Sequence, residues 1–459
     1  MLLKASGNLQ LPPQEKKTVP NVESFFKNKY NVLNICMPLV KFPYGTGSID
    51  YNIPEERFQA ELVSSMHHYQ AERSPEELVM QALENPIGTP KLSAMAKGKG
   101  NVVLIASDHT RPVPSKVIVP QMLAEIRKGN PDADVTILVS TGCHRATTNE
   151  ELLNKFGNEI IQNEKIIVHD CDHSEMAHLG KLPSGGNLIL NKIAVDADLL
   201  VSEGFIEPHF FAGFSGGRKS VMPGIAARET VIYNHNAEFI AHPCARTGIV
   251  DGNPIHNDML YAARTAKLAF ICNVIINSSK DAIFAVAGDV EEAHAAGREF
   301  LSRNCRVTSV PADIVITTNG GYPLDQNIYQ AVKGMTAAEA TVKKDGVIIM
   351  LARSNDGHGG EEFYRTFSEE KDLDRMLQTF MQTPKEKTRV DQWQSQIFAR
   401  VLQHARVMYV SDAPDEVVKN LHMIPAKTLE EAIAKAEYIL KNPSATITVI
   451  PDGIAVMVG

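Results

Sequence analysis

The chain reads as an α/β protein of two domains, each built on a mainly parallel, doubly wound, Rossmann-like sheet, with an active cleft between them. Three observations predict this class. Short apolar runs recur along the chain, each ending in small, polar or glycine residues and followed by a helical pattern, as in β-α units around a parallel sheet. At 459 residues the chain exceeds what one compact core serves. The run Ala197-Asp198-Leu199-Leu200-Val201-Ser202 is echoed by Ala312-Asp313-Ile314-Val315-Ile316-Thr317, which sets a boundary near residues 300–310. The expected division is a flexible extension over 1–31, an N-terminal α/β domain over 32–305 and a C-terminal α/β domain over 306–459.

In chain order, residues 1–31 are polar and basic, interrupted by Pro12, Pro13 and Pro20, without the apolar core of a secretory signal. Four strand-to-loop units follow in the first half. Val102–Ala106 leads into SDHTRP, Val135–Val139 into STGCHR, Ile166–His169 into DCDH, and Leu199–Ser202 into EGFIEPH. The helix after the first strand is marked by Pro112 and Pro114 in its first turn, by an apolar face of Val119, Met122, Leu123 and Ile126, and by Gly129-Asn130 as its stop. The second half adds strands at Ala312–Thr317, Gly346–Leu351, Val407–Val410 and Ile447–Ile450.

Hydrophobic residues at 44% and charged residues at 22% are ordinary for a globular protein. A net charge of −8 without a basic block argues against nucleic acid as a partner. Six dispersed cysteines with no C-x-x-C pair argue against a disulfide framework and a zinc knuckle, and fit a reducing, cytoplasmic setting. No apolar run approaches the length of a membrane span.

The densest chemistry is GFIEPHFFAGFSGGRKS, residues 204–220, directly after a buried strand. Open α/β sheets place ligands beyond such strand ends. GFSGGRKS nearly fits a phosphate loop, but Arg218 stands where the second glycine is needed, so an NTPase reading fails. Gly213, Gly216 and Gly217 still bring backbone close to something, and Lys219 is delivered there. His169–His173, HDCDH, offers metal-ligand types without a second ligand pair and reads as a solvated turn. His67, His68, His404 and His422 read as exposed.

His144 in TGCHR and His209 in IEPHF each follow a strand of the same sheet. Either alone is as well explained by capping. Together, two imidazoles that titrate near neutrality suit a proton removed on one face and returned on the other, hence inversion of a stereocentre. Asp108 is open to reading as a helix N-cap. Arg111, beside it, suits bidentate capture of a carboxylate, and Lys333, with Gln330 one turn earlier, is the matching cation of the second domain.

The set Asp108-x-x-Arg111, Gly142-Cys143-His144-Arg145, Glu207 to Lys219, His235, Tyr329-Gln330-Ala331-Val332-Lys333 and the single tryptophan, Trp393, resembles the nickel-dependent lactate racemase family from about Val32 to the C-terminus. The resemblance implies nickel held in a pincer cofactor, a dithio derivative of nicotinic acid mononucleotide joined to Lys219 through a thioamide. It makes Lys219 and His235 the residues at the metal and Gly216 and Gly217 part of the cofactor-binding loop. His144 and His209 become the acid/base pair, Arg111, Gln330, Lys333, Tyr329 and Trp393 the substrate-binding residues, and Asp108 an orienting group. Cofactor-building proteins become partners, and the substrate a small 2-hydroxy carboxylate.

The implied chemistry is coherent. An α-proton beside a carboxylate is weakly acidic, so hydride removal, with a histidine taking the hydroxyl proton, is the easier path to a 2-keto acid that is reduced again on its other face. For lactate that intermediate is pyruvate. Phe210, Phe211, Tyr329 and Trp393 predict a tight aromatic pocket that favours lactate over malate, longer-chain or sugar acids. The rival readings are a racemase or epimerase of such an acid, a pyridoxal phosphate enzyme using Lys219, and a non-catalytic hydroxy-acid-binding protein.

Overall fold

The computed structural model describes residues 38–277 and 279–459. The extension assigned to 1–31 lies outside the described residues.

Two six-stranded sheets organise the chain. The first runs Lys165–Val168, Asp134–Ser140, Asn101–Ser107, Leu199–Phe205, Leu268–Ile276 and Ala282–Gly288, in spatial order 3-2-1-4-5-6 counted along the chain. All neighbours are parallel except the last pair, a hairpin. Its central strands are apolar because helices cover both faces: every residue of Leu199–Phe205 is buried. The order reverses between Asn101–Ser107 and Leu199–Phe205, and that crevice is where doubly wound sheets bind ligands.

The second sheet is entirely parallel and runs Ile424–Ala426, Arg406–Val410, Val342–Leu351, Ala312–Thr318, Ile447–Ile450 and Phe58–Glu61. Its order reverses beside Ala312–Thr318. The last strand departs from the sequence-based division. Residues 39–61, counted there with the first half, complete the second sheet: Phe58–Glu61 pairs with Ile447–Ile450 and covers its edge, and Val40, Phe42 and Ile53 are buried against Ile314, Ile316 and Val449. The helix after the first strand spans Ser115–Gly129, with the expected buried face of Val119, Met122, Leu123 and Ile126 and the expected stop, but it starts after Pro112 and Pro114, the latter being its N-cap and not part of its first turn. Among the described residues no helix is long and apolar enough to cross a membrane.

Several histidines differ from the expectation of exposure. His169, at the start of HDCDH, is 1% exposed, bonded through Nε2 to the Ala226 carbonyl at 3.1 Å and through Nδ1 to Asn191 at 3.1 Å. The solvated turn is only its remainder, where Asp172 is paired with Arg228 and Asp170 with His173. His404 and His422 are half-buried, each bonded to a main-chain carbonyl, of Val342 and Phe367.

Burial lowers the pKa of His169, of His256 to about 3, and of His294 well below the usual range. These imidazoles stay neutral in the fold while their unfolded counterparts take up protons below about pH 6.5, so acid favours the unfolded state. Stability is therefore expected to fall as pH drops from 6.5 toward 5, by up to ~1.4 kcal/mol per pH unit for each histidine. Thermal melting of the cofactor-free protein checks this. His256→Gln should flatten the slope, and a melting temperature constant from pH 7 to 5 would contradict it.

Candidate active site

The two strand-order reversals face one cavity of about 1330 Å³. From the first sheet it receives the loops after Asn101–Ser107, Asp134–Ser140 and Leu199–Phe205; from the second it receives Gly320 to Lys333 and the start of helix Gln392–His404. All of the sequence-predicted site residues line it: Asp108, Arg111, His144, His209, Gly216, Gly217, Lys219, His235, Tyr329, Gln330, Lys333 and Trp393. Residues 185 positions apart in the chain, such as His144 and Tyr329, meet because both parallel sheets direct their carboxyl ends inward.

Asp108 is not a helix cap. Helix Ser115–Gly129 begins well beyond it, and the 1% exposed carboxylate accepts from Thr110 Oγ1 at 2.7 Å and from His144 Nδ1 at 2.7 Å. Burial alone would raise its pKa, but the His144 bond and charge, Arg111 and Thr110 together hold it below the ordinary carboxylate value. A carboxylate on Nδ1 keeps the proton there and leaves Nε2 with its lone pair available. Arg111 Nη1 donates to Thr110 Oγ1 at 3.1 Å, so its fork is set beside the same dyad.

The second imidazole is held by a different device. Ala212 N–H donates to His209 Nδ1 at 3.3 Å, which leaves the ring proton on Nε2, 3.0 Å from Lys219 Nζ. An Nε2–H can donate only to an uncharged amine. The electrostatics agree. Burial first, then the charges of Lys333 and Arg111, push the His209 pKa well below its usual value; burial first, then Arg218 and Arg111, do the same to Lys219. Lys219 is thus a neutral amine with a lone pair, the nucleophilic form of lysine.

Arg218, which breaks the phosphate-loop pattern, points the other way. Its side chain is 1% exposed and clamps the loop by donating to the carbonyls of Ala212 at 2.8 Å and Gly216 at 3.3 Å. The glycines also serve the loop. At φ +75°, a Cβ on Gly216 would lie 2.7 Å from the Phe205 carbonyl, and one on Gly217, at φ +53°, would press on His294. Their missing side chains make room for neighbouring protein.

His235 follows helix Arg228–Asn234 and is 4% exposed. Its Nδ1 donates to the Val231 carbonyl at 3.1 Å, which commits the proton to Nδ1 and leaves the Nε2 lone pair available. Burial lowers its pKa to about 3, so the ring does not protonate near neutrality. Phe211 and Trp393 meet it edge-on at 5.2 and 5.0 Å. Trp393 belongs to the helix that also sends Gln396 to the Ala237 carbonyl at 2.8 Å, so His235 sits where the two sheets' layers join.

From the second sheet, Gln330 and Lys333 share helix Ile328–Glu339 one turn apart. Burial lowers the Lys333 pKa to about 8, against the attraction of Glu207. Glu207, raised by its own burial, is a carboxylate that sequence reasoning passed over; it lies within the field of Lys333, Arg111 and Lys219. Asp391, which accepts from the Tyr329 hydroxyl at 2.7 Å, was also missed. No local signal in VDQWQ points to it, because its partner is 62 residues away.

Against known proteins, residues 44–248 match the family model of the lactate racemase N-terminal domain and residues 307–458 that of the lactate racemase C-terminal domain. The chain is 53% identical over 424 residues to the lactate racemase of Thermoanaerobacterium thermosaccharolyticum, covering 92% of this chain and 99% of that one. It is likewise 53% identical over 424 residues to the lactate racemase of Lactiplantibacillus plantarum, covering 92% and 100%. The lactate racemase apoprotein structure from T. thermosaccharolyticum superposes with a TM-score of 0.89 over 92% of this chain and all of that one. A protein from Thermotoga maritima, 19% identical, shares the fold at a TM-score of 0.61 over 85% of this chain. Two family models matched across both halves, and relatives at this identity over nearly their whole length, make this chain a member of the lactate racemase family of isomerases.

Proposed function

We propose that this protein interconverts D- and L-lactate, using a nickel pincer cofactor derived from nicotinic acid mononucleotide and tethered to Lys219. The observation that carries the reading is the convergence, in one cavity, of an uncharged lysine amine, a buried imidazole with Nε2 free, two further imidazoles in defined tautomers and two cations from different sheets. The residues fit the cofactor. Lys219 offers the neutral nucleophile for its attachment, and His235 an oriented, unprotonated ligand for nickel. A cavity of about 1330 Å³ exceeds the ~300–1,000 Å³ of ordinary ligand pockets, leaving room for a mononucleotide and a three-carbon acid together.

When bound, the cofactor supplies a hydride acceptor, which no side chain offers. The chain's own residues do the rest. Arg111, Gln330 and Lys333 hold the substrate carboxylate from two sides of the cleft, which fixes the anion while the α-carbon centre turns. His144, its Nδ1 proton committed to Asp108, presents Nε2 to take the hydroxyl proton of one enantiomer and return it; His209 serves the other once attachment of Lys219 to the cofactor ends their mutual bond and the ring proton leaves Nε2. Phe210, Phe211, Tyr329 and Trp393 exclude water and bulky substituents, which supports lactate over larger hydroxy acids. The keto acid formed midway, pyruvate, stays bound through its carboxylate. The partners are the small hydroxy carboxylate and the proteins that build the cofactor.

The test is direct. Protein produced together with cofactor-building enzymes, given L-lactate alone or D-lactate alone, is expected to yield the racemate on chiral analysis, while malate, longer-chain and sugar acids are turned over more slowly. A faster reaction with any of those would move the assignment to that acid.

Lys333→Ala should raise KM for lactate by ~10- to 100-fold, the value of one hydrogen bond to a charged group, with the mass increment on Lys219 unchanged. Loss of the attached cofactor in that variant would contradict the role given to Lys333.

A further inference from the structure

Tyr329 and Asp391 form a pair at the cavity wall; the functional assignment above uses the Tyr329 ring as a wall but neither its hydroxyl nor Asp391. The Tyr329 hydroxyl donates to Asp391 Oδ1 at 2.7 Å. Both residues line the cavity. Asp391 has φ +64°, the left-handed region, which non-glycine residues seldom occupy. It is held there because its carbonyl accepts from Gln394 and Ser395 N–H, both at 3.1 Å, at the start of helix Gln392–His404. That same conformation turns its carboxylate toward Tyr329. Outliers of this kind gather at functional sites, where surrounding structure overrides the local preference.

We propose that Asp391 is a positioning residue for the racemisation reaction, fixing the Tyr329 hydroxyl as a hydrogen-bond acceptor toward the substrate. The inference rests on the lactate racemase reading of the site. A phenol carries one proton. With that proton committed to Asp391, and with the Trp393 indole N–H hydrogen-bonded to the same oxygen, only its remaining acceptor capacity is left for the substrate, so the oxygen can accept from the substrate hydroxyl but cannot donate to the substrate carboxylate. Burial, reinforced by Asp391, keeps the phenol protonated, so the arrangement does not lapse into a phenolate. Without the carboxylate the hydroxyl would be free to rotate and donate into the cavity, favouring a misoriented substrate. Asp391 also lies within the field of His144, so the pair from the second sheet faces the acid/base group of the first.

A double-mutant cycle on the cofactor-loaded enzyme tests this. Asp391→Gly keeps the left-handed backbone and removes the carboxylate; Tyr329→Phe removes the hydroxyl. Each is expected to lower kcat by ~10-fold, with KM changed less and nickel content unaltered, and the double variant should be no more than ~2-fold below Tyr329→Phe alone. Asp391→Asn, which tolerates the same backbone and retains an acceptor oxygen, should restore most of the activity that glycine loses. Losses that multiply in the double variant, or an Asp391→Asn loss of ~10-fold or more that is equally large with and without the Tyr329 hydroxyl, would overturn the positioning role; the second comparison stands even if Asp391→Gly does not fold. Failure of the parent enzyme to racemise lactate would instead count against the functional assignment.

Discussion

Lys219→Ala is expected to abolish racemisation and cofactor attachment together, with residual turnover at least ~10⁴-fold below the parent, the scale seen when a covalent catalytic group is removed. The amine is set up as a nucleophile by its surroundings: burial and the cations Arg218, Arg111 and Lys333 disfavour its charged form, and the His209 ring proton is aimed at its lone pair at 3.0 Å. Its structural share is small, since beyond His209 it only overlies the Phe211 ring at 5.5 Å, so the variant should fold with stability within ~1 kcal/mol of the parent. Lys219→Arg should behave like alanine, because a guanidinium stays charged at this site. Intact mass and metal analysis of protein made alongside cofactor-building enzymes give the readout. A retained adduct or stoichiometric nickel in Lys219→Ala would refute the tether.

His144→Ala and His209→Ala should each lower kcat by ~10²- to 10⁴-fold, the ordinary contribution of a positioned acid or base. Because lactate enantiomers are equal in energy, kcat/KM must remain the same for both directions in every variant, so steady-state rates cannot assign a histidine to an enantiomer. Single-turnover formation of the keto acid can. Each variant is expected to oxidise one enantiomer at near the parental rate and fail with the other. If His144→Ala lost both half-reactions while His209→Ala lost neither, a one-base mechanism would replace the present one. Asp108→Asn probes the same dyad more gently, since it leaves the ring in place but weakens the hold on its Nδ1 proton.

Much of this site is legible in the chain because it is written in strand-to-loop units. Apolar runs such as Val102–Ala106 and Val135–Val139 can be buried on both faces only within a parallel sheet, and parallel sheets bring their carboxyl ends to one edge. Asp108, His144 and His209 could therefore be grouped without any contact being known. The strand at Leu199 extends beyond its apolar run. It continues through Glu203 and Gly204 to Phe205, since Oε1 of the Glu203 carboxylate accepts inside the fold from Ser107 and Ser115. Polarity alone does not reveal such internal partners. His169 escaped for the same reason: its two bonds come from Ala226 and Asn191, on other elements.

Residue order and type thus specify the class of fold, the edges where chemistry gathers, and the lysine, histidines and cations that meet there, because these depend on local periodicity and on rules of chain topology. Proton positions, charge states and supports are another matter. That Lys219 is neutral, that His235 turns Nε2 and not Nδ1 outward, that Gly216 yields space to the Phe205 carbonyl, that residues 39–61 close the far sheet and that Asp391 holds Tyr329 all arise from contacts between segments distant in sequence. Desolvation and hydrogen-bond direction belong to the packed neighbourhood, and no stretch of the chain carries them before the two sheets come together.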